Sequence, residues 1–306
     1  MTSVLRRPER RGLLDPLSEA LIPLVLGLGR KAMLRAGVRD GQRRLAGVNI
    51  NYYYLPGRAS GAGTPVVLIH GIADSAITWL FMLRPLAALG PVYAIDLPGF
   101  GHSGYPQGRR YATIGEHVAV VQELIREEIG RPALLVGNSM GGWIAARLAL
   151  AAPELVAGIV LLDPGGAMLA GRASWDLFVS TVAVPDLRTV RAIYRQMFGR
   201  VPLALYLGQL GFRALFLRDA VTQFVAAADE REFFHPGELR AIGVPSALVW
   251  GERDTFLPAG SFEYFRDHLP DPAVLTLRGC GHLPQRERPG AVARFIQRFV
   301  AERVAR

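Results

Sequence analysis

Residues 133–152 read ALLVGNSMGGWIAARLALAA: an apolar run, a serine between glycines, then a stretch suited to a helix. ALLVG has the continuous hydrophobicity of a strand buried on both faces. Between the two elements, Gly137-Asn138-Ser139-Met140-Gly141 matches G-x-S-x-G. A serine on a sharp strand-to-helix turn occupies strained backbone. Bulk on either side would clash with the turn or with the neighbouring strand, which is why glycines flank it. The turn points the serine oxygen outward at the helix N-terminus, where the Met140 N–H can meet a developing oxyanion. The five-residue pattern alone is common by chance; its place after a strand and before a helix makes Ser139 a candidate nucleophile.

Outward from this stretch the same rhythm repeats. Short apolar or β-branched runs occur at VVLI (66–69), VYAID (92–96), IVLLD (159–163), SALVW (246–250) and VLTLR (274–278). NINYYYLPG (49–57) alternates and suits an antiparallel strand at the start. Helix-like stretches lie between them at 76–89, 113–129, 139–152, 259–269 and 289–305. The alternation predicts an α/β fold with a mostly parallel sheet flanked by helices. From about Gly165 to Arg240 it stops, and helices rich in Leu, Phe and Ala take over. An insertion of that size after IVLLD is expected to form a cap over the carboxyl ends of the strands. The expected organisation is an N-terminal segment (1–48), a core made of 49–164 and 241–306, and a helical cap (165–240).

A serine hydroxyl needs a base to take its proton, and histidine titrates in the right range. Of the six histidines, His282 in GCGHLPQRERP follows the last strand, and Gly279 and Gly281 would give its loop a tight path back to Ser139. His70, His102, His117, His235 and His268 read as structural. The third member must be a carboxylate that fixes the histidine tautomer. Asp254 in WGERDTFLP, after SALVW, is favoured, and Asp163 at the end of IVLLD is the substitute. His70-Gly71-Ile72 follows VVLI, and the Ile72 N–H is the expected partner of Met140 in an oxyanion hole. Gly71 and Trp143 are expected to contact substrate. Asp74 and Ser75 either face the pocket or cap their loop.

The formal charge is +9 over 306 residues. Ten basic residues against four acids before position 45 carry six of those charges, so the body is near balance and a general polyanion-binding surface is excluded. A single cysteine, Cys280, rules out an intramolecular disulfide or a multi-cysteine metal site. Between the N-terminal basic clusters, ALIPLVLGLG (20–29) is too short to span a bilayer. Asp15 and Glu19, and the lack of a small-residue cleavage site, argue against a signal peptide. Leu17, Leu21, Leu24 and Leu28 recur at helical spacing, widened by Ile22, Val25 and Leu26. Two readings fit residues 13–35: a helix lying on a membrane surface, or one packed on the protein's own core or cap.

Taken together, HGI after the early strand, DLPGFGHS (96–103), GNSMGG (137–142), WGERD (250–254) and CGH (280–282) resemble the α/β-hydrolase superfamily. The resemblance implies that fold, with the cap inserted after the sixth strand. It also implies nucleophile, acid and base at Ser139, Asp254 and His282, in the order usual for the fold; Asp96 reads as structural. The serine argues against the haloalkane dehalogenases and epoxide hydrolases, whose nucleophile is an aspartate. GNSMGGW, DPGGA (163–167), the N-terminal segment and the cap resemble monoacylglycerol-lipase-type serine esterases. Carbon–carbon bond hydrolases of aromatic ring cleavage are the runner-up, sharing GNSMGG and the Pro164-Gly165-Gly166 turn. They are disfavoured because HGIADSAITW lacks their glycine-rich run and Leu283 replaces their usual tryptophan. Cofactor-free haloperoxidase-like enzymes share the triad, and a non-catalytic binding protein on this fold is a distant alternative. The expectation is a serine esterase of lipase type, needing no metal or organic cofactor and binding no nucleic acid. It is expected to be cytoplasmic or peripheral to the membrane. An apolar acyl substrate is expected beneath the larger cap residues Phe178, Tyr194, Met197, Phe198, Tyr206, Phe212, Phe216 and Phe224.

Overall fold

A computed structural model describes residues 15–57, 63–167, 169, 187–203, 208–228 and 230–305. Its frame is one eight-stranded sheet of order β1-β2-β4-β3-β5-β6-β7-β8. The strands are β1 (Arg39–Leu45), β2 (Val48–Leu55), β3 (Val66–Ile69), β4 (Val92–Ile95), β5 (Ala133–Asn138), β6 (Val156–Leu162), β7 (Ser246–Gly251) and β8 (Ala273–Leu277). All pairings from β4 to β8 are parallel, while β1–β2 and β2–β4 are antiparallel. β3 to β7 are buried almost throughout, as expected of strands covered by helices on both faces.

The first strand is a departure from the sequence reading, which placed 39–48 in the N-terminal segment. RDGQRRL carries charges and a glycine, and only Leu45 is buried, so no hydrophobic pattern marks it. The hairpin forms because Ala46 and Gly47 both take positive φ (45° and 77°). That is the geometry of a two-residue turn matching strand twist, and it brings Leu45 opposite Val48. A charged edge strand also resists pairing with other chains.

The helices are α1 (Asp15–Arg35), α2 (Leu80–Leu86), α3 (Ile114–Leu124), α4 (Met140–Ala151), α5 (Leu187–Met197), α6 (Gln209–Phe216), α7 (Asp219–Ala227), α8 (Pro236–Arg240), α9 (Ser261–His268), α10 (Pro284–Glu287) and α11 (Pro289–Phe299). Two apolar clusters sit on opposite faces of the sheet. One unites α3, α4 and the cap residues; the other holds α2, α11 and Met33 of α1. α3 shows why such helices form where they do. Thr113 Oγ1 accepts from the Glu116 N–H (3.2 Å) and Glu116 Oε2 accepts from the Thr113 N–H (2.9 Å), satisfying two amides that the first turn leaves open. Ile114, His117, Val118, Val121 and Leu124 then recur at helical spacing and are buried.

Helices α5 to α8 lie between β6 and β7, where the cap was expected. α1 packs against α6 and the turn at Ala76–Trp79. Its inward face differs from the leucine stripe read in the sequence. Leu26 and Met33 are buried, and Gly29 rests on Ile77, where a Cβ would come within 2.3 Å of the side chain. Leu24, Val25 and Leu28 are more than half exposed. Arg30 Nε donates to Asp40 Oδ2 (2.9 Å), tying α1 to the edge strand. No helix among the described residues is long and apolar enough to cross a membrane.

Candidate active site

The carboxyl ends of β3, β5, β6 and β7 converge at Ser139. It follows β5, precedes α4, and has φ 55°, ψ −118°, a region that non-glycine residues occupy only when surroundings enforce it. Here they do. The Ser139 N–H donates to the Leu162 carbonyl (3.0 Å), and its own carbonyl accepts from the Gly165 and Trp143 N–H groups (3.0 and 3.1 Å). A Cβ on Gly137 would sit 2.1 Å from the Gly141 oxygen, and one on Gly141 would sit 2.0 Å from the Ile69 oxygen. Backbone packs on backbone at both places, and no side chain fits. Ser139 Oγ makes no hydrogen bond within the described residues.

His282 lies in the loop between β8 and α10, with its side chain and that of Asp254 fully buried. Nδ1 of the imidazole donates to Asp254 Oδ2 at 2.7 Å. A carboxylate only accepts, so this contact puts the proton on Nδ1 and leaves Nε2 basic. Asp254 Oδ1 accepts from the N–H groups of Phe256 (2.8 Å) and Leu257 (3.3 Å), and Phe256 packs on the imidazole with ring centroids 4.9 Å apart. Asp163 is buried beside them. One oxygen of each acid and one ring nitrogen of His282 all lie within 4.8 Å of one another.

Gly71 sits against Ser139, its Cβ position 3.1 Å from Ser139 Cβ. The Ile72 N–H has no acceptor among the described residues, and Met140 opens α4, where the first amides lack intrahelical partners. Trp143 lies along the cap seam. Its indole N–H donates to the Glu232 carbonyl (2.8 Å), and its ring meets Phe233 with centroids 4.6 Å apart. The remaining expectations sort by their bonds. Asp96 accepts from Ala76 N, Asn51 Nδ2 and His102 N at 2.8–3.0 Å, bracing two loops. Asp74 caps the Ser75 amide. His70 donates from Nδ1 to the Gly71 carbonyl and accepts from the Leu97 N–H at Nε2. Burial pushes its pKa down, so it stays neutral.

Two residues gave no sequence signal. Asn138 occupies the variable position of G-x-S-x-G. Its Nδ2 donates to the carbonyls of both Leu162 and His282 (3.0 Å each), and its Oδ1 accepts from Gln285 Nε2 (3.0 Å). One buried amide thus joins β5, the strand that leads into Ser139, to the histidine loop. Glu287 accepts from the Gly281 N–H (2.8 Å) and the Gly199 N–H (3.1 Å), and the His282 N–H donates to the Met197 carbonyl (2.7 Å). The histidine loop is therefore fastened to the end of helix α5. Partners so far apart in sequence leave no local pattern.

Residues 66–295 match the alpha/beta hydrolase family. The chain belongs to the alpha/beta hydrolase family. It is an enzyme of that family by the company it keeps. The dihydrolipoyllysine-residue acetyltransferase component of the acetoin cleaving system of Cupriavidus necator is 31% identical over 252 residues. The match takes in 79% of this chain and 64% of that protein, so the chain spans under two thirds of that relative's length. The pimeloyl-[acyl-carrier protein] methyl ester esterase of Nitrosomonas europaea is 27% identical over 239 residues, covering 74% of this chain and 91% of the esterase. Among solved structures, a membrane phospholipase A, a bacterial virulence factor, superposes with TM-score 0.77 at 30% identity, covering 95% of this chain and 93% of the other.

Proposed function

We propose that this alpha/beta hydrolase cleaves carboxylic esters with apolar acyl groups through an acyl-enzyme on Ser139. The observation that carries the reading is the buried 2.7 Å contact between His282 Nδ1 and Asp254 Oδ2, in a loop that Asn138 ties to the serine's strand. With Nδ1 occupied, Nε2 takes the Ser139 proton as the oxygen attacks the ester carbonyl. The N–H groups of Ile72 and Met140 receive the oxyanion, each worth about 3–4 kcal/mol in the transition state. The imidazolium gives its proton to the departing alcohol, and water, deprotonated by the same nitrogen, releases the acid. Gly71 leaves room for the reacting carbonyl beside Ser139.

The acyl preference is supported by buried or half-buried Tyr194, Met197, Phe198, Phe212, Phe216 and Phe224 of the cap; Phe178 and Tyr206 lie outside the described residues. The likeness to a phospholipase and to a methyl ester esterase supports an ester rather than a carbon–carbon substrate. We further propose that Leu24, Val25 and Leu28, exposed beside Arg30 and Lys31, rest on an anionic bilayer surface. Residues 13 and 14 of that segment lie outside the described residues.

Hydrolysis of p-nitrophenyl esters from acetate to palmitate tests the reading. Wild-type enzyme should be active with an optimum at medium or long chains, and Ser139→Ala should lose roughly 10⁴-fold or more in kcat. Absence of esterase activity on every chain length, with Ser139 still labelled by a fluorophosphonate, would turn the assignment to carbon–carbon hydrolysis.

A further inference from the structure

Two buried carboxyl groups meet beside His282, and a serine hydrolase of this kind uses one. Their hydrogen-bond partners are unequal. Asp254 receives three donors on its two oxygens: the N–H groups of Phe256 and Leu257 on Oδ1, and His282 Nδ1 on Oδ2. Asp163 receives one, the Gly251 N–H on Oδ1 at 3.0 Å. Its Oδ2 is buried and finds no donor among the described residues. An ionised carboxylate in that position would leave a charged oxygen unsolvated, whereas a protonated one needs only an acceptor. The nearest group able to accept is the Asp254 carboxylate, which belongs with Asp163 and His282 to a group whose atoms lie within 4.8 Å of one another.

We propose that Asp163 is held as a neutral carboxylic acid that donates its proton to the Asp254 carboxylate, so that Asp163, Asp254 and His282 form one hydrogen-bonded chain. Asp163 is then a positioning residue, acting on the imidazole through Asp254. The inference rests on the reading that Asp254 orients His282.

The backbone prepares the arrangement. Asp163 follows β6 with φ 41°, a conformation unfavourable for a residue other than glycine. Its N–H donates to the Val249 carbonyl (2.9 Å) while its side chain caps Gly251. Strain held by bonds at both ends aims the carboxyl at the β7 loop. Electrostatics points the same way. Burial, and next the charge of Asp254, push the Asp163 pKa well above the ordinary carboxylate range; Glu287 adds to the effect. The other ionisable neighbours are His282 and Cys280, whose thiol is itself pushed up by burial and by Glu287 and Asp163. Among the described residues no cation is a leading influence on Asp163, apart from the imidazolium formed during turnover. The proton on Asp163 keeps the group at one negative charge, which that imidazolium then neutralises.

Infrared difference spectroscopy of the whole enzyme, wild type against Asp163→Asn, tests the proposal. The carbonyl stretch of an un-ionised carboxylic acid should persist above about pH 7 in wild type and vanish in the variant. Kinetics add an independent readout. Asp163→Ala removes the donor and should lower kcat by roughly tenfold or more, with KM little changed. Asp163→Asn keeps a donor toward Asp254 and an acceptor toward Gly251 and should restore most of that loss. If the carboxylic acid band is absent, or Asp163→Asn falls as far as Asp254→Asn, Asp163 is ionised and the proposal is wrong. If Asp254→Asn instead keeps full activity while the band is present, the assignment of Asp254 has failed, not the protonation of Asp163.

Discussion

The turn at Ser139 and the helical segment between β6 and β7 are held by different kinds of contact. At the nucleophile turn, backbone meets backbone: the positions beside Ser139 face carbonyl oxygens 2.0 and 2.1 Å from where a Cβ would stand. On the cap side, long side chains reach across to loop carbonyls. Arg147 on α4 donates to the carbonyls of Glu232 and Phe233 (2.7 Å each), pairs with Glu238 (2.5 Å) and lies 4.4 Å over the Phe234 ring. Trp143 adds its bond to Glu232. The first kind of contact tolerates one residue type. The second can be supplied by many, because a flexible side chain can reach a carbonyl from several positions.

If the difference is real, breaking the turn should have the largest effect. Gly141→Ala should cost about 3 kcal/mol or more by overpacking and abolish esterase activity. Chemical denaturation and ester hydrolysis read this, and a stable, active variant would refute the close-packing account. Next comes the cap seam. Arg147→Ala leaves the Phe233 carbonyl without its donor and the Glu232 carbonyl with Trp143 alone, and should cost roughly 1–3 kcal/mol. Hydrogen exchange should quicken at 230–240 while the amides of β5 and β6 stay protected. Uniform loss of protection would mean the cap and the sheet unfold as one unit.

A smaller effect concerns His117, packed between Phe100 of the core and Phe224 of α7. Burial, and next the nearby His70, lower its pKa to about 3. Unfolded histidine titrates near 6.5, so below that pH the unfolded chain binds a proton that the folded one refuses. This stability is whole above about pH 6.5 and declines as pH falls toward 3. His117→Leu should flatten that decline in denaturation curves compared at neutral and mildly acidic pH, leaving the share due to His70. An unchanged slope would show that His117 titrates normally. The smallest expected change in stability is at the surface of α1. Leu24→Asp with Leu28→Asp should alter stability by no more than about 0.5 kcal/mol yet abolish flotation with anionic vesicles. Flotation equal to wild type would leave α1 as a helix that only packs on the cap.

Much of the scaffold was legible because its determinants are local. Strands buried on both faces must be apolar throughout, so β3 to β7 announced themselves, and the interruption of their rhythm marked the stretch between β6 and β7 where helices lie. A strained turn admits only certain residues, which made Ser139 stand out. Asp254 and His282 were found from their places after strands, and the structure brings their side chains into contact. β1 was missed because an exposed edge strand need not be apolar, and its pairing depends on a turn at Ala46-Gly47 and a neighbour to pair with. Which face of α1 turns inward was left open for a related reason. Helical spacing shows which residues share a face, and only Ile77 and α6 decide which face turns inward.

The sequence by itself thus determined the order of strands and helices, the serine turn and the two loops that carry Asp254 and His282. Those features rest on backbone sterics and on the burial of each segment, and both are expressed in neighbouring residues. Tertiary structure alone decided that Asn138 would bridge to the His282 loop and that Glu287 would fasten this loop to the cap. It also set Asp163 beside Asp254, where one of two acids must keep its proton. Proximity between residues distant along the chain costs no local strain and follows no period, and the charge state of a buried group depends on everything packed around it.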